Sequence, residues 1–299
     1  MNGFINLLKP PGMSSAQAVF FVKKLIHEKV GHAGTLDPEA AGVLPIMVGR
    51  GTKLFDYIAD DDKVYIAEIA FGKQTDTQDA QGVVTKTSSV VPQQRDVESV
   101  MRDFVGTIAQ VPPQYSAIKR DGERLYDVAR AGRSVSLAPR DVLVRSLQIT
   151  RQVSLNSFLI EIHCGKGTYI RTLCEDIGSA LKSCAHMRFL LRTRVGAFTV
   201  DNTLTLEELK AKVESGAAAE EWLMPIDLAL GHLTRIDVPA PLHKSLFNGV
   251  SISIRQVNNS LALPEGALVR LYADNALVSI SRVKGDTLKL QTMVQIPPP

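Results

Sequence analysis

Three features are scarce in this chain, and each scarcity narrows what the protein can be. The 299 residues include only three cysteines, Cys164, Cys174 and Cys184, which cannot all pair with one another and so indicate a reducing compartment. No apolar run approaches the ~20 residues that a membrane-spanning helix needs. The amino terminus lacks the basic and apolar regions of a signal peptide. We therefore expect a cytoplasmic protein.

Excess charge is also scarce. The formal net charge is only +3, so a site for a polyanion must come from local clustering of cations rather than from overall charge. The hydrophobic content of 45% and the charged content of 22% are those of a soluble globular protein. The length is compatible with one large domain, or with a large domain followed by a small one.

Two common kinds of site are disfavoured by missing motifs. His163 and His186 lie near the cysteines, but no C-x-x-C or H-x-x-x-H pair would preorganise a tetrahedral metal site, so we expect no metal. The Gly-rich stretches 49–53 and 165–168 both fail the P-loop pattern. The second stretch, between a predicted strand and a predicted helix, is still suited to an anion.

The segment Val30–Pro45 holds Asp37 among glycines and alanines. Glycine allows positive φ and lets another molecule approach the main chain, and Pro38 biases Asp37 away from helix. His32, five residues earlier, is near enough to line the same site. A polar loop held against a core is one interpretation. A structural turn capped by Asp37 is the other, and local chemistry alone leaves both open.

Apolar spacing predicts the elements that surround this loop. Ser14 and Ser15 are placed to cap a helix, and a second helix is predicted to begin at Asp96. Buried strands are predicted over 63–72, with Tyr65, Ala67, Ile69 and Phe71 on one face, and over the pair 142–149 and 157–164.

Arg171 stands out at the start of the helix that follows Thr168, two residues after Tyr169. A cation in the first turn of a helix opposes the helix dipole. That cost favours a specific partner, and a buried carboxylate such as Asp37 would serve and would be kept ionised as a nucleophile requires. A surface arginine without a fixed partner is the alternative.

The stretch Gln114–Val142 is rich in cations, with aromatic residues between them. This composition is typical of a nucleic-acid clamp, and a solvated surface loop is equally compatible with it. After a Pro-rich boundary near 222–241, short strands are predicted over 250–254, 267–272, 276–283 and 287–294, which indicates a small all-β module.

Seven motifs in order along the chain resemble those of the tRNA pseudouridine-55 synthase family, the bacterial TruB type. They are K-P-P-G-M-S-S at 9–15, G-H-A-G-T-L-D-P at 31–38, V-Y-I-A at 64–67, T-D-T-Q-D-A-Q-G at 75–82, V-P-P-Q-Y-S-A-I-K at 111–119, G-K-G-T-Y-I-R-T at 165–172 and A-H-M-R-F-L-L-R-T at 185–193. One departure is present: the family usually shows L-R-R where this chain has Leu190-Leu191-Arg192. The loss of one cation there is expected to weaken a contact with the RNA backbone.

The resemblance implies an RNA isomerase that uses no cofactor. Asp37 would attack the target uridine at T-loop position 55 of tRNA, with attack on the ring or on the ribose left open. Tyr65 would stack on the flipped base and accept a proton, and Arg171 would hold Asp37. Tyr169 and Leu190 would shape the pocket.

The resemblance also implies a set of RNA contacts. His32 would fill the gap in the RNA stack, and Lys9 and Gly12 would flank the site. The thumb, about 114–142, would close over the RNA with Lys119, Arg124 and Arg130.

The implied architecture is α+β, with a mixed, mostly antiparallel sheet, surrounding helices and a PUA-like β module. The implied domains are 1–232 and 233–299, in a chain expected to be monomeric. Two alternatives stay open: an RNA-binding or RNA-folding protein with incidental isomerase activity, and a guide-RNA-dependent synthase subunit. The basic thumb argues against the second.

Overall fold

A nine-stranded sheet lies at the centre of the part of the molecule that the structure describes. The structure is a computed structural model and describes residues 1–58, 61–115, 119–120, 123–124, 135–257 and 263–295. The strands are, in chain order, β1 (Gly3–Lys9), β2 (Val30–His32), β3 (Ala41–Val48), β4 (Lys63–Phe71), β5 (Lys73–Thr75), β6 (Val84–Thr87), β7 (Gly106–Gln110), β8 (Lys119–Arg120), β9 (Glu123–Arg124), β10 (Arg140–Ser154), β11 (Ser157–Cys164), β12 (Ala185–Val195), β13 (Phe198–Thr199), β14 (Thr234–Asp237), β15 (Ile252–Ser253), β16 (Leu268–Ala273), β17 (Ala276–Lys284) and β18 (Thr287–Met293). The α-helices are α1 (Ser15–Ile26), α2 (Phe55–Ile58), α3 (Gln94–Met101), α4 (Ile170–Ala180), α5 (Leu206–Glu214), α6 (His243–Phe247) and α7 (Ile254–Val257).

The central sheet has the strand order β1-β3-β12-β4-β11-β10-β7, with β2 paired to β3 and β13 paired to β12. Every pair is antiparallel except β3–β12, which is parallel. The predicted mixed, mostly antiparallel sheet is therefore confirmed.

Alternation along β4 explains how this sheet makes a core. Ala67, Ile69 and Phe71 are buried on one face together with helices α1 and α4, and Tyr65 packs against the same cluster. These are the four residues predicted to share a face, and that prediction is confirmed. The strand pair β10–β11 is confirmed as well, although β10 is longer than predicted.

Capping residues set the helix starts. Ser14 caps α1 through a capping box with Gln17, close to the predicted start. Helix α3 begins at Gln94 rather than at the predicted Asp96, because the Asp96 side chain reaches back to the backbone of the cap residue Gln93. Asp96 is thus part of the capping box inside the first turn, not the residue that opens the helix.

A second sheet, of five strands, has the order β14-β16-β17-β18-β15. The three strands predicted after residue 266 are confirmed within two residues at each end. The strand predicted over 250–254 is wrong in extent: β15 is only Ile252–Ser253, and helix α7 follows directly. Strand β14 was not predicted.

Two further expectations concern the pairing of the cysteines and a membrane-spanning helix. Cys164, Cys174 and Cys184 are all buried free thiols. Across the described residues, no helix combines the length and the apolar character that crossing a bilayer requires.

Candidate active site

Asp37 lies in the loop between β2 and β3, and neighbouring groups fix the backbone of that loop. Ser15, the first residue of α1, uses one hydroxyl for both main-chain groups of Leu36: it donates to the carbonyl at 3.1 Å and accepts from the N–H at 2.9 Å. The Asp37 carbonyl accepts from the Ala40 N–H at 3.1 Å. The Asp37 side chain is 38% exposed, so a fixed backbone presents a carboxylate that solvent can still reach.

Arg171, on α4, faces this carboxylate edge-on. Its Nε lies 2.9 Å from Asp37 Oδ2, and its Nη2 donates to Asp37 Oδ1 at 3.2 Å. Nη2 also donates to the Tyr115 carbonyl at 2.9 Å, and Nη1 donates to the Thr77 carbonyl at 3.1 Å. The Asp79 carboxylate is 3.7 Å from Nη1. The predicted partner of Arg171 is therefore present, and two further segments hold the guanidinium in place.

The electrostatics of Asp37 are a balance between burial and charge. Desolvation raises the pKa of the Asp37 carboxyl above its ordinary value, and the nearby Asp79 adds to this. The positive charges of Arg171 and Lys9 oppose the rise in pKa. The ionised form of Asp37 thus depends on the position of the Arg171 guanidinium.

Tyr65, on β4, lies directly opposite Arg192 of β12 in the strand register, so that the Arg192 charge acts on the Tyr65 phenol. Arg192 is 1% exposed. Its Nε donates to the Val43 carbonyl at 2.8 Å, and its Nη2 donates to the Gly34 carbonyl at 3.1 Å. Desolvation raises the pKa of the Tyr65 phenol, and Arg192 opposes that rise. One buried cation therefore binds the backbone on both sides of Asp37 and acts on the side chain of Tyr65.

The three other residues predicted for the site, Tyr169, Leu190 and His32, lie just before α4, on β12 and on β2. Tyr169 precedes α4, and its main-chain N–H and carbonyl are both bound by the Gln110 side chain, at 2.8 and 3.0 Å. Leu190 is buried on the same face of β12 as Arg192. His32 ends β2, and desolvation together with the charge of Arg192 lowers the pKa of its imidazole. The neutral imidazole is therefore favoured.

The structure does not support a direct RNA contact for Lys9. Its side chain is 0% exposed, and its ammonium donates to the carbonyls of Pro10, Met13 and Pro38 at 2.8, 2.6 and 3.0 Å. The predicted substrate-binding role is thus corrected to a tie between the 10–13 turn and the Asp37 loop. Gly12 is exposed in that turn, with a φ of +77°.

The predicted thumb is described only in part. Lys119 and Arg124 pair with each other in the short hairpin of β8 and β9. Arg130 lies outside the described residues. Their predicted contacts with RNA stay predictions.

Sequence reasoning missed Arg192, Asp79 and Ser15 as parts of this site. Arg192 was noted only within a motif, because a cation in a strand does not by itself indicate burial. Asp79 likewise stands only within a motif, and its carboxylate accepts a local hydrogen bond from Thr77 Oγ1 at 2.6 Å. Its second oxygen faces Arg171, which only the fold brings near.

Leu191, where the resemblance predicts a cation, lies on the sheet face opposite that of Leu190 and Arg192. It pairs with Ile66, between the Leu190–Ala67 and Arg192–Tyr65 pairs. Leucine at this position therefore leaves the groups around Asp37 untouched.

No three His, Cys, Asp or Glu side chains come together as metal ligands would, in so far as the chain is described. The residues around Asp37 offer a carboxylate, a phenol and two guanidinium groups. This set can supply a nucleophile, a proton acceptor and fixed positive charge.

Comparisons with known proteins show which family the chain resembles. The model of the TruB family pseudouridylate synthase N-terminal domain matches residues 23–170, and that of the tRNA pseudouridylate synthase B C-terminal domain matches residues 171–231. The tRNA pseudouridine synthase B of Alkaliphilus oremlandii (strain OhILAs) is 39% identical over 96% of this chain and 94% of its own length. That of Symbiobacterium thermophilum is 44% identical over 85% of this chain and 84% of its own length.

Among solved structures, a chain of a Cbf5-Nop10-Gar1 complex superimposes with a TM-score of 0.77 and 26% identity, covering 98% of this chain and 85% of that one. The two family models span the segments that carry Asp37, Tyr65, Arg171 and Arg192. The chain belongs to the TruB family of pseudouridylate synthases.

Proposed function

We propose that this protein acts alone on tRNA and isomerises a uridine of the T-arm, at T-loop position 55, to pseudouridine, with Asp37 as nucleophile. The observation that carries the proposal is the edge-on pair between Arg171 and Asp37, at 2.9 and 3.2 Å, on a loop whose backbone is fixed. The named relatives, each a tRNA pseudouridine synthase B, support the choice of substrate. Such an enzyme would act as a monomer in the cytoplasm, without a cofactor.

The reaction needs no other reactant, because uridine and pseudouridine contain the same atoms. The bond between ribose C1′ and uracil N1 breaks, a bond between C1′ and C5 forms, C5 loses a proton and N1 gains one. Asp37 would attack the flipped nucleotide and hold the intermediate while the base turns. Tyr65 would stack on the base and accept the C5 proton, and the charge of Arg192 would favour the ionised phenol.

The test compares wild type with Asp37→Asn on an unmodified tRNA transcript. We expect pseudouridine at the T-arm from wild type only, with similar tRNA binding by both proteins. Asp56→Asn, an exposed carboxylate, is the matched control and should react like wild type. Turnover by Asp37→Asn at the wild-type rate would remove Asp37 from the mechanism.

Tyr65→Phe separates stacking from proton transfer. The phenyl ring can still stack on the base, so tRNA binding should persist, but the proton acceptor is lost and the reaction should slow by roughly 100-fold or more. An unimpaired rate would exclude Tyr65 as the acceptor.

Two rivals predict different outcomes. Tight tRNA binding without product from wild type would indicate an RNA-binding protein. Product that appears only when a guide RNA is added would indicate a guide-dependent subunit.

A further inference from the structure

A side chain at the start of the predicted thumb, Gln114, makes an unusual pair of hydrogen bonds. Its Nε2 donates to the Val135 carbonyl at 2.8 Å, and its Oε1 accepts from the Val135 N–H at 3.0 Å. Both main-chain groups of one residue, 21 positions away, are thus bound by a single amide. Because a primary amide carries a donor and an acceptor as a peptide group does, this side chain replaces one step of a backbone ladder.

The sequence explains why a side chain is needed there. Strands β7 and β10 pair as far as Gln110 and Arg140. The next residues of the first strand include Pro112 and Pro113, which have no N–H and so cannot continue the ladder. Gln114 restores the connection just beyond the prolines and fixes the spacing of the two chain segments.

Tyr115 follows directly, and its carbonyl accepts from Arg171 Nη2 at 2.9 Å. That same nitrogen donates to Asp37 Oδ1 at 3.2 Å. The Thr77 carbonyl holds the other terminal nitrogen, Nη1. The Tyr115 carbonyl therefore stops the guanidinium from turning about the Thr77 contact and keeps its Nε–Nη2 edge toward Asp37.

We propose that Gln114 is a positioning residue for the reaction. By tying residues 114–115 to Val135, it fixes the position of the Tyr115 carbonyl, which orients Arg171 toward Asp37. The inference rests on the proposed function and adds a residue that touches neither substrate nor Asp37. Gln114 acts on Asp37 through the Tyr115 carbonyl and Arg171. Its loss should therefore slow the chemical step rather than weaken substrate binding.

The pH dependence of the rate separates a positioning role from a purely structural or RNA-binding role, because only the positioning role alters the pKa of Asp37. The charged groups that act on Asp37 are Arg171 and Lys9, which favour the carboxylate, and Asp79, which disfavours it. A displaced guanidinium favours the carboxylate less, so the pKa of Asp37 rises further. Activity falls when Asp37 is protonated, so the acid limb of the rate profile should move to higher pH.

The experiment uses Gln114→Met, which keeps the side-chain length but makes neither hydrogen bond, in the full chain with unmodified tRNA. We expect the single-turnover rate at saturating tRNA to fall by about 10-fold or more, the acid limb to move to higher pH, and the tRNA Kd to stay as in wild type. Gln94→Met, at an exposed glutamine of α3, is the control and should leave all three unchanged.

Combining variants shows whether the effect passes through Arg171. In an Arg171→Lys background, adding Gln114→Met should change the rate little, because the orientation it protects is already lost. If Gln114→Met does not fold, Gln114→Asn, whose amide is too short to span to Val135, takes its place.

A wild-type rate and acid limb in Gln114→Met would overturn the proposal, as would a loss seen only in tRNA Kd. If either result is found while Asp37→Asn is inactive, the proposed function is unaffected. An active Asp37→Asn would instead remove the proposed mechanism itself.

Discussion

Lys9 is an ammonium buried among carbonyls, where sequence reasoning placed a contact to RNA. Burial lowers the pKa of Lys9 from 10.5 to about 8, although Glu39 and Asp37 oppose the shift. Between those two pH values the unfolded chain binds more protons than the folded one, so this residue makes stability rise with pH. Below pH 8 the folded protein carries the full cost of a buried charge.

Lys9→Met should therefore show two effects. The carbonyls of Pro10, Met13 and Pro38 lose their donor, which should lower the free energy of unfolding by roughly 1–3 kcal/mol. The gap from wild type should widen as the pH rises from about 7 to about 9, because only wild type gains from deprotonation. Denaturant unfolding at both pH values checks this, with the exposed Lys23→Met as control. A gap that narrows would contradict the assigned burial.

Arg192 is a second buried cation. Its planar fork reaches the Val43 and Gly34 carbonyls at once, and its charge acts on the Tyr65 phenol. Lysine carries the same charge but has one nitrogen, so it cannot make these contacts together.

Arg192→Lys should lower the free energy of unfolding by roughly 1–3 kcal/mol and slow the single-turnover rate more than it weakens tRNA binding. Arg194→Lys, two residues along the same strand and half-buried, is the matched control for both measurements. An unchanged rate in Arg192→Lys would mean that Tyr65 and the Asp37 loop do not depend on this guanidinium.

The strands show what an amino-acid pattern can predict and what it cannot. Alternation along β4 predicted the shared face of Tyr65, Ala67 and Ile69, because side chains of a strand point to its two faces in turn. That alternation does not indicate which strands are neighbours in the sheet. The β3–β12 pairing brings Val43 to Arg192 across 149 residues, and for that reason the burial of Arg192 could not be predicted.

The candidate site likewise contains some residues that the sequence predicts and others that it does not. Asp37 and Arg171 could be predicted because an aspartate between glycines and a proline and a cation in a first helical turn are each unusual locally. Asp79 and Gln114 are ordinary turn and loop residues in the sequence. Their roles arise only where α4 brings Arg171 to three separate segments.

Gly42 is the residue that lets β3 lie against β12. Its φ is +120°, and a Cβ there would lie 2.1 Å from the Arg192 carbonyl oxygen and 2.7 Å from the Arg192 nitrogen. Both atoms belong to backbone and cannot turn aside. Any side chain at this position would force the two strands apart.

Gly42→Ala should lower the free energy of unfolding by about 3 kcal/mol or more, as overpacking adds to backbone strain. It should also abolish turnover, because separating the strands moves the Asp37 loop away from Tyr65. Gly285→Ala is the control: φ there is +59° with nothing within 4 Å of the added carbon, so only about 1–2 kcal/mol of strain applies. Equal losses in the two variants would refute the steric explanation.

The two sheets share a hydrophobic core, which affects the whole molecule. Ile280 and Val294 of the second sheet's segment are buried in one cluster with Leu54, Ile58 and Leu230. Polar contacts border this cluster, with Tyr57 bonded to Thr292 at 2.8 Å and Arg270 paired with Asp227. The C-terminal sheet therefore helps to stabilise the fold of the first 232 residues, and it is also a candidate RNA-binding module.

A chain that ends at His232 should consequently unfold at a lower temperature than the full chain, because Leu54, Ile58 and Leu230 would face water. Its turnover should fall even on a minimal T stem-loop too short to reach the second sheet. Thermal unfolding of both chains, with activity measured well below either transition, separates lost support from lost RNA contacts. If the shortened chain keeps its unfolding temperature and loses only affinity for full tRNA, the shared cluster contributes little and the predicted boundary at 232/233 divides two independent domains. If it loses stability, function in this protein depends on a core that crosses that boundary.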